Sequence, residues 1–384
     1  MEKLSKLLSD INTESLIEKL ADSSYSFACW RMPETLLTNL IISLTPPLSS
    51  GKSLDELGTG FLFNSFADSH PIKPFHIKAD LIVGKDLQIN PSVGSEQLDS
   101  FIETLKESVP VRKKSVPGRT PSNSFESIVQ KALNEIEKGS FEKVVLSRVH
   151  DISLPENFSL MSFFDELCDQ YPNAFCSMVH LPDEGVWVGA TPELLISDNS
   201  TRFKTISLAG TKVMEQEQAL SDIAWTQKEI EEQAFVSRYV INCFKKIRLR
   251  EFYENGPKTI KAGNLAHLRT EFEVKYSEVQ FEKLADQMLE LLHPTSAVCG
   301  MPLEPARDFI LENEGYDRLF YSGFLGPVNF NESTDLFVNL RCMSISGSHA
   351  RLYAGAGITH DSNPQKEMKE TEMKMVTLMR IVQR

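Results

Sequence analysis

Between Ser124 and Gly139 the apolar residues Phe125, Ile128, Val129, Ala132, Leu133 and Ile136 recur at the spacing of one helical face. That pattern predicts an amphipathic helix, with Ser124 placed to cap its first turn and Gly139 to end it. The same reading predicts helices over 1–22, 159–171, 222–247, 281–292 and 304–313, the last with Pro305 in its first turn. Short apolar or alternating runs predict strands over 26–31, 60–66, 75–83, 141–150, 174–181, 185–190 and 203–208. A strand pair is expected around His267, and further strands over 318–330, 335–344 and 349–358. Strands mostly follow strands and helices come in blocks, which predicts an α+β fold with antiparallel sheet rather than a doubly wound parallel one. The segment 108–123 holds three prolines, a glycine and the triplet Arg112-Lys-Lys114. It reads as an exposed connection, either a domain boundary or a long loop within one domain.

Composition narrows the class without choosing an activity. A chain of 384 residues can bury one large core or two ordinary ones. The net charge of −13 argues against non-specific nucleic-acid binding. No apolar run approaches about 18 residues, so no membrane span is expected, and the first dozen residues are too polar for a signal peptide. The six cysteines are scattered with no C-x-x-C pair, as expected of reduced core thiols in a cytoplasmic protein.

The chemistry gathers near the C-terminus. Tyr353-Ala-Gly-Ala-Gly-Ile358 reads as a strand ending in a glycine turn, followed by a helix carrying Lys366-Glu-Met-Lys-Glu-Thr-Glu-Met-Lys374. Without a Cβ, Gly355 and Gly357 let backbone N–H groups approach an anion closely. Glu367, Glu370 and Lys374 share one helical face. The ordinary reading of such a face is a solvated surface with a Glu370–Lys374 pair. Glu229-Ile-Glu-Glu232 repeats the E-x-x-E spacing on the helix predicted over 222–247. Two such helices facing each other would gather four carboxylates, whose repulsion a cation would relieve. Oxygen ligands that leave room for waters and substrate suit Mg2+ before Ca2+.

Five motifs then appear in one order: Phe141-Glu-Lys-Val-Val-Leu-Ser-Arg148, Val188-Gly-Ala-Thr-Pro-Glu-Leu-Leu195, Leu208-Ala-Gly-Thr211, His293-Pro-Thr-Ser-Ala297 and the Tyr353–Ile358 turn. With both E-x-x-E helices, this chain resembles the chorismate-utilising enzymes, and within them the isochorismate synthases. The resemblance is strong over 124–384 and less typical over 1–107. It implies a single domain, 1–384, of two large antiparallel sheets surrounded by helices, in which 108–123 is a loop. It also implies Mg2+ as cofactor, chorismate as substrate and a monomer.

The implied reaction is attack of water at C2 of chorismate with loss of the C4 hydroxyl, giving isochorismate for menaquinone or a catechol siderophore. By this resemblance Lys143 is the base and Glu193 the acid, on opposite faces of the ring. Partial burial after Pro192 would keep Glu193 protonated. Glu232 and Glu370 match direct metal ligands, and Glu229 and Glu367 match positions reaching the metal through water. Arg341 matches the clamp on the enolpyruvyl carboxylate, which its planar fork suits, with Tyr321 and the backbone of Gly355 beside it. Gly210, Thr211 and Lys374 match positions near the ring carboxylate, and His267 one near the ring, where a structural role is also common. Lys143 and Ala209 speak for water rather than an amine as nucleophile. Ala297, where pyruvate-expelling relatives carry threonine, favours stopping at isochorismate. The chain departs from the family pattern at Ser207, where proline is usual, and at Glu231 and Gln233, where histidines are common; the connection from Thr211 to Glu232 is short. Alternatives are a salicylate synthase, an amine-transferring synthase component and a non-catalytic chorismate-binding protein, the last disfavoured because binding alone needs neither Lys143 nor Glu193.

Overall fold

Side-chain caps start several helices. Asn12, Ser124, Ser159 and Asn363 accept the backbone N–H of Ser15, Ser127, Ser162 and Lys366, satisfying donors that the first helical turn leaves open. The computed structural model describes all residues except 1–3, 5–6, 8–10, 50, 67–73, 85–86, 108–123, 215–218, 263–264 and 384. From the N-terminus, α1 (Thr13–Ala21) leads to β1 (Ser26–Arg31), β2 (Thr38–Ser43), β3 (Leu48–Ser49), β4 (Gly60–Asn64), β5 (Phe75–Lys78), β6 (Leu81–Val83), β7 (Gln88–Ile89) and α2 (Ser95–Glu107). The middle runs α3 (Phe125–Glu137), β8 (Lys143–Ser153), α4 (Leu160–Gln170), β9 (Phe175–Leu181), β10 (Gly185–Thr191), β11 (Leu194–Asn199), β12 (Arg202–Val213) and α5 (Gln227–Lys246). Then come β13 (Tyr253–Ala262), β14 (Leu265–Lys275), α6 (Leu284–Leu292), β15 (Gly300–Met301) and α7 (Leu303–Asn313). The chain closes with β16 (Phe324–Val328), β17 (Ser333–Val338), β18 (Cys342–Ser346), β19 (His349–Ile358) and α8 (Pro364–Val382).

The strands form two antiparallel sheets. One has ten strands in the order β15-β8-β19-β18-β10-β9-β1-β2-β6-β7, the other nine in the order β13-β14-β12-β11-β17-β16-β4-β5-β3. Their facing sides share an aromatic core drawn from both, with Phe63 on Phe320 at 3.9 Å and Phe175 on Phe337 at 4.1 Å between ring centroids. Such stacked rings bury large apolar area in one layer. Helices α1, α2, α4 and α8 cover the outer face of the ten-stranded sheet, and α5 and α6 that of the nine-stranded one. This is a single large α+β domain with two antiparallel sheets surrounded by helices. Among the described residues no helix is long and apolar enough to cross a membrane.

Two predicted strands prove to be pairs that change sheet. The 75–83 run divides into β5 and β6, which lie in different sheets. Buried Asp80 holds the break by accepting the N–H of Leu44 at 2.9 Å. The 335–344 run divides into β17 and β18, again in different sheets. Within 318–330 only β16 is strand; before it the chain turns, with left-handed backbone at Leu319 and Ser322. Strands β2 and β11 and helix α2 were not predicted. Of the predicted 1–22 helix, residues 1–3, 5–6 and 8–10 lie outside the described residues, and α1 starts only at Thr13, because extended Asn12 caps it; all of the 108–123 connection also lies outside them.

Candidate active site

Where β10 ends and β11 begins, the chain crosses from one sheet to the other through Pro192 and Glu193. It crosses back through Asn339, Leu340 and Arg341. The two crossings are hydrogen-bonded together: Val338 donates its N–H to Glu193 carbonyl at 2.9 Å, and Ala190 donates to Arg341 carbonyl at 3.1 Å. Arg341 has φ of 49°, a left-handed backbone that costs a non-glycine residue free energy. A backbone tied on both sides holds that geometry and turns the Glu193 and Arg341 side chains into the space between the sheets.

That space is a cavity of about 160 Å³. Its walls include Glu193, Gly210, Glu229, Glu232, His267, Ala297, Tyr321, Arg341, Gly355, Glu370 and Lys374, residues from distant parts of the chain that sequence reasoning had grouped. Tyr321 stacks on Tyr353 and Tyr353 on Trp187, with centroids 5.4 and 5.1 Å apart, giving a rigid aromatic floor. Lys143 is 1% exposed and sits behind the wall, its Nζ 3.1 Å from Glu232 Oε1. A Cβ added at Gly357 would stand 3.1 Å from Glu232 Oε1 and 3.2 Å from Lys143 Cε, so the missing side chain makes room for that pair. Glu367 is buried and does not line the cavity. Thr211 is in β12, but its side chain lies outside the described residues.

Burial dominates the electrostatics. Glu193 is 5% exposed, and removal from water pushes its pKa up to about 7, against the opposing pull of Lys143, Arg341 and Lys374. Burial, with Arg341 nearby, draws His267 down to about 3, so its imidazole is neutral. Its Nδ1 carries the proton, because its partner at 2.7 Å is the Gly210 carbonyl, which only accepts. Gly210 has φ of +68° and lies in the irregular stretch of β12 between Ala209 and Lys212. A bulge there re-aims the strand at the cavity. Burial also lowers the pKa of Arg341.

Each of the carboxylates on the wall has a lysine beside it. Glu232 pairs with Lys143, Glu370 with Lys374 at 2.7 Å, and Glu229 with Lys212 at 3.8 Å. Lys374 also donates to the Gly355 carbonyl at 2.7 Å. Glu229 closes a capping box at the start of α5, accepting the Thr226 N–H at 2.6 Å. Among the described residues no three His, Cys, Asp or Glu side chains are grouped closely enough to hold a metal ion. Among the described residues the expected gathering of four carboxylates is therefore not formed: Glu229, though on the wall, bonds its own cap, and Glu367 is off the wall. Glu232 and Glu370 do share the cavity, and their hard oxygen donors fit Mg2+, which needs only one or two carboxylates beside waters and substrate.

Wall residues that were not singled out from sequence include Val145, Pro192, Leu208, Val298, Leu340, Tyr353 and Ala354. Most stand inside or beside the quoted motifs. Their signal was position in the motif, since apolar side chains carry no chemistry of their own to mark them.

Comparison with known proteins finds relatives of this chain. The family model described as chorismate binding enzyme matches residues 80–383. The isochorismate synthase EntC of Escherichia coli (strain K12) is 30% identical over 276 residues, covering 71% of this chain and 69% of that protein. The isochorismate synthase DhbC of Bacillus subtilis (strain 168) is 30% identical over 267 residues, 67% of each chain. Among solved structures, MenF, the menaquinone-specific isochorismate synthase from Escherichia coli, aligns with a TM-score of 0.78 over 98% of this chain and 92% of its own, at 21% identity.

Proposed function

The chain belongs to the family of chorismate binding enzymes, and from that premise we propose that it isomerises chorismate to isochorismate. The observation that carries the reading is Glu193, a buried carboxyl held near neutral pKa in the same cavity as the Arg341 guanidinium. A carboxyl that keeps its proton at about neutral pH can give it to a leaving hydroxyl. A merely structural buried glutamate would be expected to be neutralised by a direct partner.

In this reading Arg341 takes the enolpyruvyl carboxylate and Lys374 lies near the ring carboxylate, so the substrate's two negative charges orient the ring. Lys143, as the amine, accepts a proton from the water whose oxygen bonds to C2. Glu193 delivers its proton to the C4 hydroxyl as that C–O bond breaks and the ring double bond shifts. One water enters and one leaves, so the net change is an isomerisation. Neutral His267, fixed by Gly210, lines the ring pocket and offers polarity without charge. Glu232 and Glu370 would hold Mg2+, which when bound would supply positive charge for the ring carboxylate. The relatives named EntC, DhbC and MenF support water as nucleophile, as do Lys143 and Ala209.

Lys143→Ala and Glu193→Gln test the assignment. Each is expected to cut turnover by about 100-fold or more, the usual scale for losing a general acid or base. Chorismate binding, followed by calorimetry, should persist in both. Near-wild-type turnover in either variant would remove that residue from the mechanism, and lost binding would make it a clamp on the substrate instead.

A further inference from the structure

Helix α5 carries Glu229 and Glu232, yet its first half has little apolar anchorage. Among the described residues from 227 to 235, Gln233 is the only buried side chain; buried apolar residues begin at Val236 and continue with Val240, Cys243 and Phe244. Gln233 is 2% exposed, and its Nε2 lies 2.9 Å from Ser207 Oγ and 3.0 Å from Thr270 Oγ1. Ser207 Oγ is in turn 2.8 Å from Ser237 Oγ, on the next turn of α5. Ser207 and Thr270 stand opposite each other on β12 and β14, three residues before Gly210 on the former and three after His267 on the latter. One knot of buried hydroxyls and an amide thus joins the helix with the acidic residues to both strands that form the adjoining wall.

Stability alone does not account for this knot. Gln233 Oε1 is buried with no hydrogen-bond partner among the described residues, and an apolar contact of the same volume would avoid that cost. What hydrogen bonds supply and apolar contacts do not is direction. We propose that Gln233 is a positioning residue, whose side chain, bonded to Ser207 and Thr270, fixes the rotation of α5 and so holds Glu232 and Glu229 at the cavity. Gln233 lies next to Glu232 in the chain, so a small rotation of the helix at Gln233 swings Glu232 off the wall. The proposal rests on the reading of Glu232 as a site residue.

The test is Gln233→Leu, which keeps the volume and removes the amide, measured by amide hydrogen exchange and by turnover of chorismate with Mg2+. Exchange over residues 227–236 is expected to rise about 10-fold while 240–246 stays protected, since local opening is set by local anchorage. Turnover should fall at least about 10-fold, because displacement of a catalytic wall by about 1 Å is costly, and the Mg2+ needed for half-activity should rise. Ser207→Ala should move every readout the same way by less, and it serves if Gln233→Leu does not fold. Unchanged exchange and turnover would overturn the proposal. So would a uniform rise in exchange along all of α5 with normal turnover, which marks a role in stability only. If the wild-type protein did not turn over chorismate, the functional reading would fall while the exchange pattern still decided whether Gln233 anchors the helix.

Discussion

Glu193 joins stability to chemistry in one residue. Its folded-state pKa of about 7 lies above the ordinary 4.5, so the folded protein keeps a proton that the unfolded chain releases. Raising the pH from about 4.5 to 7 therefore removes stability, and above that the full cost of a buried carboxylate is present. Glu193→Gln removes the charge, so it should melt a few degrees higher than wild type at about pH 8 and almost level with it at about pH 5. Equal melting shifts at both pH values would contradict the assignment. Lys143 is tested through its partner. It is 1% exposed against 26% for Glu232, so Glu232→Gln removes the carboxylate beside a buried lysine and should lower the melting temperature. A higher melting temperature would mean that the acidic residues repel one another more than they hold the lysines. Gly357→Ala places a methyl 3.1 Å from Glu232 Oε1 and 3.2 Å from Lys143 Cε. It should fold normally and lose about 10-fold or more in turnover, by the cost of small displacements; wild-type turnover would show that this pair yields freely. The charged residues here were legible because each stands in a motif. The burial of Glu193 was not, because it comes from how two crossings pack.

Among elements, helices were the more legible. Ser124 and the apolar stripe from Phe125 to Ile136 carry their own start, face and stop, and α3 follows them closely. Strand order was not legible in the same way. A run such as 335–344 holds neither glycine nor proline, and nothing in its pattern says that β17 and β18 join different sheets. Yet that change of sheet places Arg341, as the change between β10 and β11 places Glu193. The site thus sits at irregularities that local patterns do not encode. Helices α5 and α8 bring Glu232 and Glu370 to one cavity from the middle and the end of the motif-bearing region. If they hold Mg2+, EDTA should abolish turnover and added Mg2+ restore it, with Glu370→Gln largely inactive and still folded. Full turnover of dialysed protein in EDTA would sink the metal assignment.

At the scale of the molecule, two sheets packed through stacked aromatic rings make a stiff frame around a small polar cavity. Stiffness matters because the rival outcome, elimination of pyruvate, depends on how tightly the ring is held against its side chain. Ala297 offers that wall only a methyl group, and Ala297→Thr should raise the ratio of pyruvate to isochorismate. The central claim concerns the product itself. The most direct measurement incubates the pure protein with chorismate and Mg2+, separates the products by chromatography and follows pyruvate with a coupled lactate dehydrogenase assay. Isochorismate in equilibrium with chorismate, with little pyruvate and no dependence on ammonia, is the predicted result. Stoichiometric pyruvate with salicylate, an ammonia-dependent amino product, or chorismate bound but unchanged would contradict it.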